Sequence, residues 1–403
     1  MGQFTLMLSL PMLVALAVVA AGQAPPPYRE PDGHPAPSNV PGQAFPRILS
    51  DLRVTFRVTA PNAREVLVEP FDSSGLGSRE FPMARGADGV WSVTTSPVRP
   101  GFHYYELVVD GYHCADRNSE TFYGWFRQIS GLEVPDPMLD FYEARKAPHG
   151  NVRAVYYHSK VTGSLRRAFV YTPPGYDGTR GRYPTLYLQH DEGESESGWS
   201  NQGRANFILD NLISEGRAVP MLVVMDNGYA NLADGVAAAP RNVKLPRSWR
   251  SVSAFERVLL EDLIPTIDRD FRTVADADHR ALAGHFMGGT QALDIGLQHM
   301  DRFRWLGCFS GMHRPFDSAF GVLANPGEAN RKIRLLWLGN GSGDGTLRDG
   351  ESAHMLLELR GVRHVWFTCP GSHEWQVWRK HLNAFAPLLF RARPGSLAGS
   401  DRN

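Results

Sequence analysis

Cysteine is scarce: Cys114, Cys308 and Cys369 are the only three in 403 residues. An odd count at wide spacing excludes a disulfide framework and a zinc site. Cys308 and Cys369 fall in apolar runs, "WLGCFSG" and "HVWFTC", and read as buried free thiols. An excess of charge is also missing. Lys+Arg and Asp+Glu stand at 42 each, so no long-range field draws in nucleic acid or an anionic membrane, and a neutral or weakly charged partner fits better. Beyond the first residues no apolar run is long enough to span a bilayer. The last absence is local. No serine has glycine at both minus two and plus two, so the chain lacks the Gly-x-Ser-x-Gly turn on which one large class of hydrolases presents its nucleophile.

What is present starts with "MGQFTLMLSLPMLVALAVVAAGQAPPP", an apolar run ending in small residues that reads as a secretory signal over residues 1–24, although its first residues carry no Lys or Arg. Secreted or periplasmic placement follows as an expectation, with no membrane contact after cleavage. Residues 25–46, rich in Pro, Gly, Ser and Ala, read as a flexible linker, and residues 393–403 as a disordered tail.

Two grammars occupy the rest. Over residues 47–137, "RVTFRVTAP", "VLVEPF", "GVWSVTT" and "HYYELVVDG" alternate apolar and polar residues between Gly, Asp and Pro, which predicts a small all-β sandwich. Trp91 and Tyr104 read as its core rather than as a ligand platform. Over residues 138–392, nearly continuous apolar strands such as "TLYLQH", "MLVVMDN", "RALAGH" and "RLLWLGN" alternate with amphipathic helices such as "NFILDNLISEG" and "EWQVWRKHLNAFAPLLF". Strands apolar on both sides predict a mostly parallel sheet covered by helices, an α/β fold. The segment from Gly228 to Glu256 is a long insertion expected to act as a lid or wall.

The chemistry-bearing stretches fall at the ends of those strands. "GHFMGG" (284–289) has the small residues of a tight strand-to-helix turn, with Phe286 at its centre; Asp344 follows a strand in "WLGNGSGDG", and His373 precedes the last helix in "CPGSHEW". Chain order nucleophile, acid, histidine is that of the α/β-hydrolases. The run "GNGSGDG" lacks the spacing of a phosphate loop, and His373-Glu374 is not followed by the second histidine of a zinc protease. Neither a cofactor nor a metal is expected.

The pieces "RRAFVYTPPGYD", "YPTLYLQHDEGESESGWSNQGRANFILDNLISEGRAVPMLVVMDNGY", "LAGHFMGGTQAL", "WLGNGSGD" and "GSHEWQVWRKHLNAFAPLLF" resemble carbohydrate esterase family one, the feruloyl and acetyl-xylan esterases, which also resembles the enterobactin esterases. The preceding strands resemble early-set immunoglobulin-like modules. The resemblance implies an α/β-hydrolase fold behind a β-sandwich, with the family's serine aligned to Phe286, its acid to Asp344 and its base to His373. It implies Met287 as one backbone donor of the oxyanion hole and the loop at Asp191, where the family usually reads His-Gly, as the source of the other. Trp199 and Trp375 become candidate substrate-stacking residues, with ordinary packing the alternative; Trp378 reads as core.

Phenylalanine supplies no nucleophile, and removing the serine of such a triad lowers turnover by roughly a millionfold. A carboxylate at Asp191 also disfavours a tetrahedral oxyanion. The expectation is therefore an esterase-like protein with serine chemistry absent or severely impaired that keeps a pocket for an acylated glycan or small aromatic ester. The rival is a working ester hydrolase in which His373 and Asp344, or Asp191, activate water directly.

Overall fold

The computed structural model describes residues 32–71, 76–77, 79–231, 254–311 and 325–391. The expected signal, tail and most of the Gly228–Glu256 insertion lie outside these residues. The described residues from Gly33 onward form one compact unit.

The N-terminal β-rich module has two sheets. One runs β1 (His34–Pro35), β2 (Arg47–Ile48), β3 (Val54–Thr59), β7 (Val90–Thr94), β6 (Ala84–Arg85); the other runs β10 (Thr121–Gly124), β11 (Arg127–Val134), β8 (Gly101–Val109), β4 (Val66–Pro70), β5 (Phe81–Pro82), with β9 (Tyr112–Cys114) also on β8. Inward residues of both sheets share one core, as where Phe56 of β3 meets Tyr105 of β8 edge to face at 4.9 Å. This is consistent with an immunoglobulin-like sandwich. Trp91 is in that core, its indole donating to the Ala60 carbonyl.

The expected linker is structured from its middle onward. Val40 N–H donates to the Asn118 carbonyl, Glu120 N–H to the Ser38 carbonyl, and Ser38 Oγ accepts from Glu133 N–H. Composition alone suggested flexibility, but these backbone partners tie residues 36–46 to the module.

Two adjacent residues depart from ordinary turn chemistry. Gly124 pairs with Arg127, which leaves Trp125 and Phe126 as a two-residue hairpin loop with φ of 51° and 64°. Such loops favour Asn-Gly, because left-handed backbone costs about 1–2 kcal/mol at a side-chain-bearing residue.

The second part is an eight-stranded sheet ordered β12 (Asn151–Ser159), β13 (Ser164–Thr172), β15 (Leu222–Asp226), β14 (Thr185–Gln189), β16 (Arg280–His285), β17 (Trp305–Phe309), β18 (Leu335–Gly341), β19 (Val365–Cys369). The pairs β12–β13 and β13–β15 are antiparallel and the others parallel. Alternate residues serve opposite faces. Tyr187, Val224 and Leu282 enter one core with α2 (Ile264–Asp270), α3 (Met287–Gln298) and α5 (Leu347–Leu359). Leu186, Val223 and Ala281 enter the other with α1 (Ala205–Ser214) and α6 (Trp375–Phe385). The short α4 (Pro326–Lys332) lies between β17 and β18 in the chain. Among the described residues no helix is long and apolar enough to cross a membrane.

Strand β8 joins the two parts. Phe102 and Tyr104 face the α1/α6 core, whereas Tyr105 and Leu107 face the sandwich core, so this strand is buried on both sides. A buried ion pair locks the junction: Arg379 of α6 donates to both carboxylate oxygens of Glu133 at 2.8 Å and, through Nε, to the Gln202 carbonyl at 2.8 Å.

Candidate functional site

Asp191, Phe286, Asp344 and His373 all lie just beyond the carboxyl ends of their strands, β14, β16, β18 and β19. Parallel strands of an open α/β sheet direct their following loops to one edge, which is where such folds bind ligands. A second depression, lined by Arg304, Arg334 and Arg363, lies at the opposite ends of β17, β18 and β19 and has no part in this chemistry.

The turn at Phe286 keeps the geometry of a nucleophile elbow. Its φ of 44° and ψ of −107° are outside the regions open to a bulky residue, which is strain of about 1–3 kcal/mol. Glycines permit the crowding around it: a β-carbon on Gly284 would lie 2.6 Å from the Gly288 carbonyl carbon, and one on Gly288 would lie 2.6 Å from the His190 carbonyl oxygen. The Phe286 ring stands edge to face against the His373 imidazole, with centroids 4.7 Å apart. An apolar ring thus occupies the neighbourhood of the base.

His373 retains its acid partner. Nδ1 lies 3.2 Å from both Asp344 carboxylate oxygens, and Asp344 Oδ1 also accepts from the Thr346 amide and hydroxyl at 2.9 Å. Burial works against ionisation of Asp344, but the bond to His373 prevails and brings its carboxyl down to about 2.

The other face of the imidazole is altered by Asp191. Its Oδ2 lies 3.4 Å from His373 Nε2, and its Oδ1 accepts from the Met287 amide at 3.4 Å and from the Glu192 amide. One carboxylate therefore covers two places at once: the donor that would hold an oxyanion and the nitrogen that would take the nucleophile's proton. Burial disfavours a charged His373, yet hydrogen bonds to Asp191 and Asp344 outweigh it and push the imidazole up to about 10. At neutral pH it is an imidazolium with no basic nitrogen. Since its folded value lies above its ordinary 6.5, the ion pairs stabilise the fold fully below about pH 6.5 and are lost as pH rises through about 10. A histidine NMR titration is expected to show His373 still protonated at pH 8, and Asp191→Asn to lower its midpoint; an ordinary midpoint in the natural protein would contradict this electrostatic picture.

Beneath the triad positions is a second, buried polar group. Glu194 Oε1 accepts from the Tyr104 hydroxyl at 3.0 Å and from Trp375 Nε1 at 2.9 Å, while Oε2 lies 3.2 Å from His285 Nε2. Burial pushes the Glu194 carboxyl up to about 8 and lowers His285 to about 3, so both are neutral near pH 7 and a protonated carboxyl can donate to the ring. Tyr104, expected as sandwich core, is instead a buried tie between the module and the site.

Asp191, Glu194, Phe286, Asp344 and His373 line a cavity of about 690 Å³. Its aromatic lining includes Trp375 and Trp378, both buried, the latter contributing to the cavity although it was expected to be core alone. Trp199 is corrected from candidate stacking residue to packing residue: it is 1% exposed, lies outside the cavity lining, donates to the Gln189 carbonyl at 2.9 Å and meets Trp375 edge to face. Three lining residues had no sequence signal. All come from the N-terminal module: Phe71 follows β4, and Trp125 and Phe126 form the tip of the β10–β11 hairpin, a loop with neither glycine nor asparagine to mark it.

Comparison with known proteins agrees with this geometry. A family described as "Putative esterase" matches residues 159–389. An endo-1,4-beta-xylanase/feruloyl esterase from Xylanibacter ruminicola is 36% identical over 367 residues, covering 89% of this chain and 47% of the relative, so the chain spans about half of that protein's length. An esterase of Mycobacterium tuberculosis is 29% identical over 41% of the chain and 32% of its own length. Among solved structures, a CE1 ferulic acid esterase from Anaeromyces mucronatus, in complex with ferulic acid, is 25% identical with a TM-score of 0.54, covering 62% of this chain and 96% of that one. The enterobactin esterase of Shigella flexneri shares the fold at 18% identity, with a TM-score of 0.60 over 83% and 92% of the two chains. With its esterase sheet order, its elbow and its acid and histidine in place, and Phe286 where the nucleophile would stand, the chain belongs to the putative esterase family and is CE1-like.

Proposed function

We propose that this protein binds an acylated glycan or a small aromatic ester in the esterase cavity and does not hydrolyse it by serine chemistry. The observation that carries the proposal is the position of Asp191, whose carboxylate occupies the Met287 amide and charges His373, the histidine bonded to Asp344, while Phe286 supplies no hydroxyl. Any one of these changes removes a component that acyl transfer requires. The cavity nonetheless stays open and lined with aromatic surface, as expected where binding is retained. Feruloyl ligands are the first candidates because the Xylanibacter ruminicola relative and the Anaeromyces mucronatus structure, which are more similar in sequence than the enterobactin esterase, are feruloyl esterases. A secreted or periplasmic setting belongs to the same proposal, supported by the apolar start of the sequence.

The rival, direct activation of water, draws support from the intact His373–Asp344 pair. It meets the difficulty that an imidazolium cannot accept a proton. Trp125, Trp375 and Trp378 line the cavity, so methyl ferulate titrated into the protein is expected to quench tryptophan fluorescence saturably. No saturable change with methyl ferulate or a feruloylated xylo-oligosaccharide would overturn the binding proposal.

A further inference from the structure

The tip of the β10–β11 hairpin is built against local preference and placed at the cavity. Trp125 and Phe126 both adopt positive φ, yet they remain 50% and 61% exposed, so burial of their rings does not explain the choice of residues. Their position is nevertheless fixed. Phe126 N–H donates to the Gly193 carbonyl at 2.8 Å, and Gly193, at φ +81°, brings its backbone so close that a β-carbon there would lie 3.2 Å from the Trp125 Cα. At the base of the hairpin, Arg127 holds Glu106 through two hydrogen bonds of 2.8 and 2.9 Å and lies over the Phe71 ring. Phe71 and Trp125 stand 5.8 Å apart, centroid to centroid. The result is a braced aromatic wall at the mouth, carried by the N-terminal module and fastened to the loop that also bears Asp191.

The polar groups of the cavity define what suits that wall. Its lining includes the carboxyl side chains of Asp191, Glu192, Asp344 and Glu374; among the described lining residues the one basic side chain, His373, is held between Asp191 and Asp344, and Glu374 is held by Arg99 at 3.4 Å. Glu192, exposed beside Gly193, offers acceptor oxygens next to the hairpin. That exposed carboxylate disfavours an anionic ligand and favours one that donates hydrogen bonds without charge. A wall of aromatic faces favours one with flat apolar C–H surface.

We propose that the Trp125–Phe126 hairpin tip is a saccharide subsite, which packs the sugar-ring face of a neutral acylated oligosaccharide while the acyl group enters the cavity beneath. This inference rests on the reading of the cavity as an ester-binding pocket. It assigns the N-terminal module a direct part in ligand selection.

The test replaces Trp125-Phe126 by Asn-Gly, the pair this turn prefers, so loss of folding does not confound it. Calorimetry compares a feruloylated xylo-oligosaccharide with methyl ferulate on the natural protein and on the W125N/F126G variant. The natural protein is expected to bind the oligosaccharide ester roughly tenfold more tightly than methyl ferulate, the contribution of about two aromatic contacts. In the variant that advantage disappears, because the oligosaccharide ester loses about tenfold more affinity than methyl ferulate does, and the melting temperature is unchanged or raised. A natural protein that binds both ligands equally, or a variant that keeps the advantage, overturns the saccharide subsite and leaves the binding pocket standing. If the natural protein binds neither, the pocket reading itself fails and this inference with it.

Discussion

The double variant Phe286→Ser with Asp191→Gly is expected to hydrolyse methyl ferulate, whereas Phe286→Ser alone is expected to stay close to the natural protein, for which we propose no serine-type turnover. In the single variant the new hydroxyl faces His373 as an imidazolium, because Asp191 and Asp344 still flank the ring at 3.4 and 3.2 Å. The same Asp191 carboxylate still occupies the Met287 amide. A serine without a base loses most of the triad's effect, and one missing oxyanion donor costs a further factor of about 10²–10³. Removing the carboxylate at position 191 frees the donor and leaves His373 with Asp344 alone, the partner that orients it. Initial rates with methyl ferulate are therefore expected to rise by about 10³-fold or more from the single to the double variant. Equal rates in the two would show that Asp191 has no silencing role.

Glu133→Ala is expected to destabilise the protein by about 3–5 kcal/mol, because it strands the Arg379 guanidinium, 1% exposed, without its carboxylate. Burial alone would raise the Glu133 carboxyl, but the charge and hydrogen bonds of Arg379 reverse this and hold it below the ordinary carboxylate range. A depressed acid contributes stability above its unfolded value, about pH 4.3, and loses it as pH falls through the lowered folded value. Urea unfolding at pH 7 measures the loss. A shift under about 1 kcal/mol would mean that the junction between module and sheet relaxes around the missing charge.

Much of the fold is legible in the sequence because burial on two faces leaves a pattern. "RALAGH" and "MLVVMDN" are apolar throughout since Leu282 and Val224 serve one core while Ala281 and Val223 serve the other. The positions of Asp344 and His373 are legible for a related reason: glycine-rich turns at strand ends mark the loops that reach the site. What was not legible comes from contacts between distant segments. Tyr104 reads as a strand residue of the sandwich, and only packing of β8 against α6 brings its hydroxyl to Glu194, 90 residues on. Trp199 reads as a mouth residue by chain position, yet its indole points to the Gln189 carbonyl and is covered. The Trp125–Phe126 turn violates the residue preferences by which hairpins are recognised, and residues 36–46 conceal order because their hydrogen bonds go to other segments.

Asp191 shows how much a single substitution changes in electrostatic terms. Sequence places a carboxylate near an anion site; the structure shows it bound to the amide of that site and to the base as well. The site is thus occupied by a group of the protein itself, and its histidine is charged before any ligand arrives.

The most direct measurement mixes methyl ferulate with a stoichiometric excess of the natural protein and follows ferulate release over hours, with saturable fluorescence quenching recorded on the same samples. Quenching with the ester recovered intact is the expected result. Release of ferulate at a rate that falls when His373 is replaced by Ala would contradict the account that Phe286 and Asp191 leave this cavity to bind the ester without turning it over, and would mean that the histidine acts on the ester despite both.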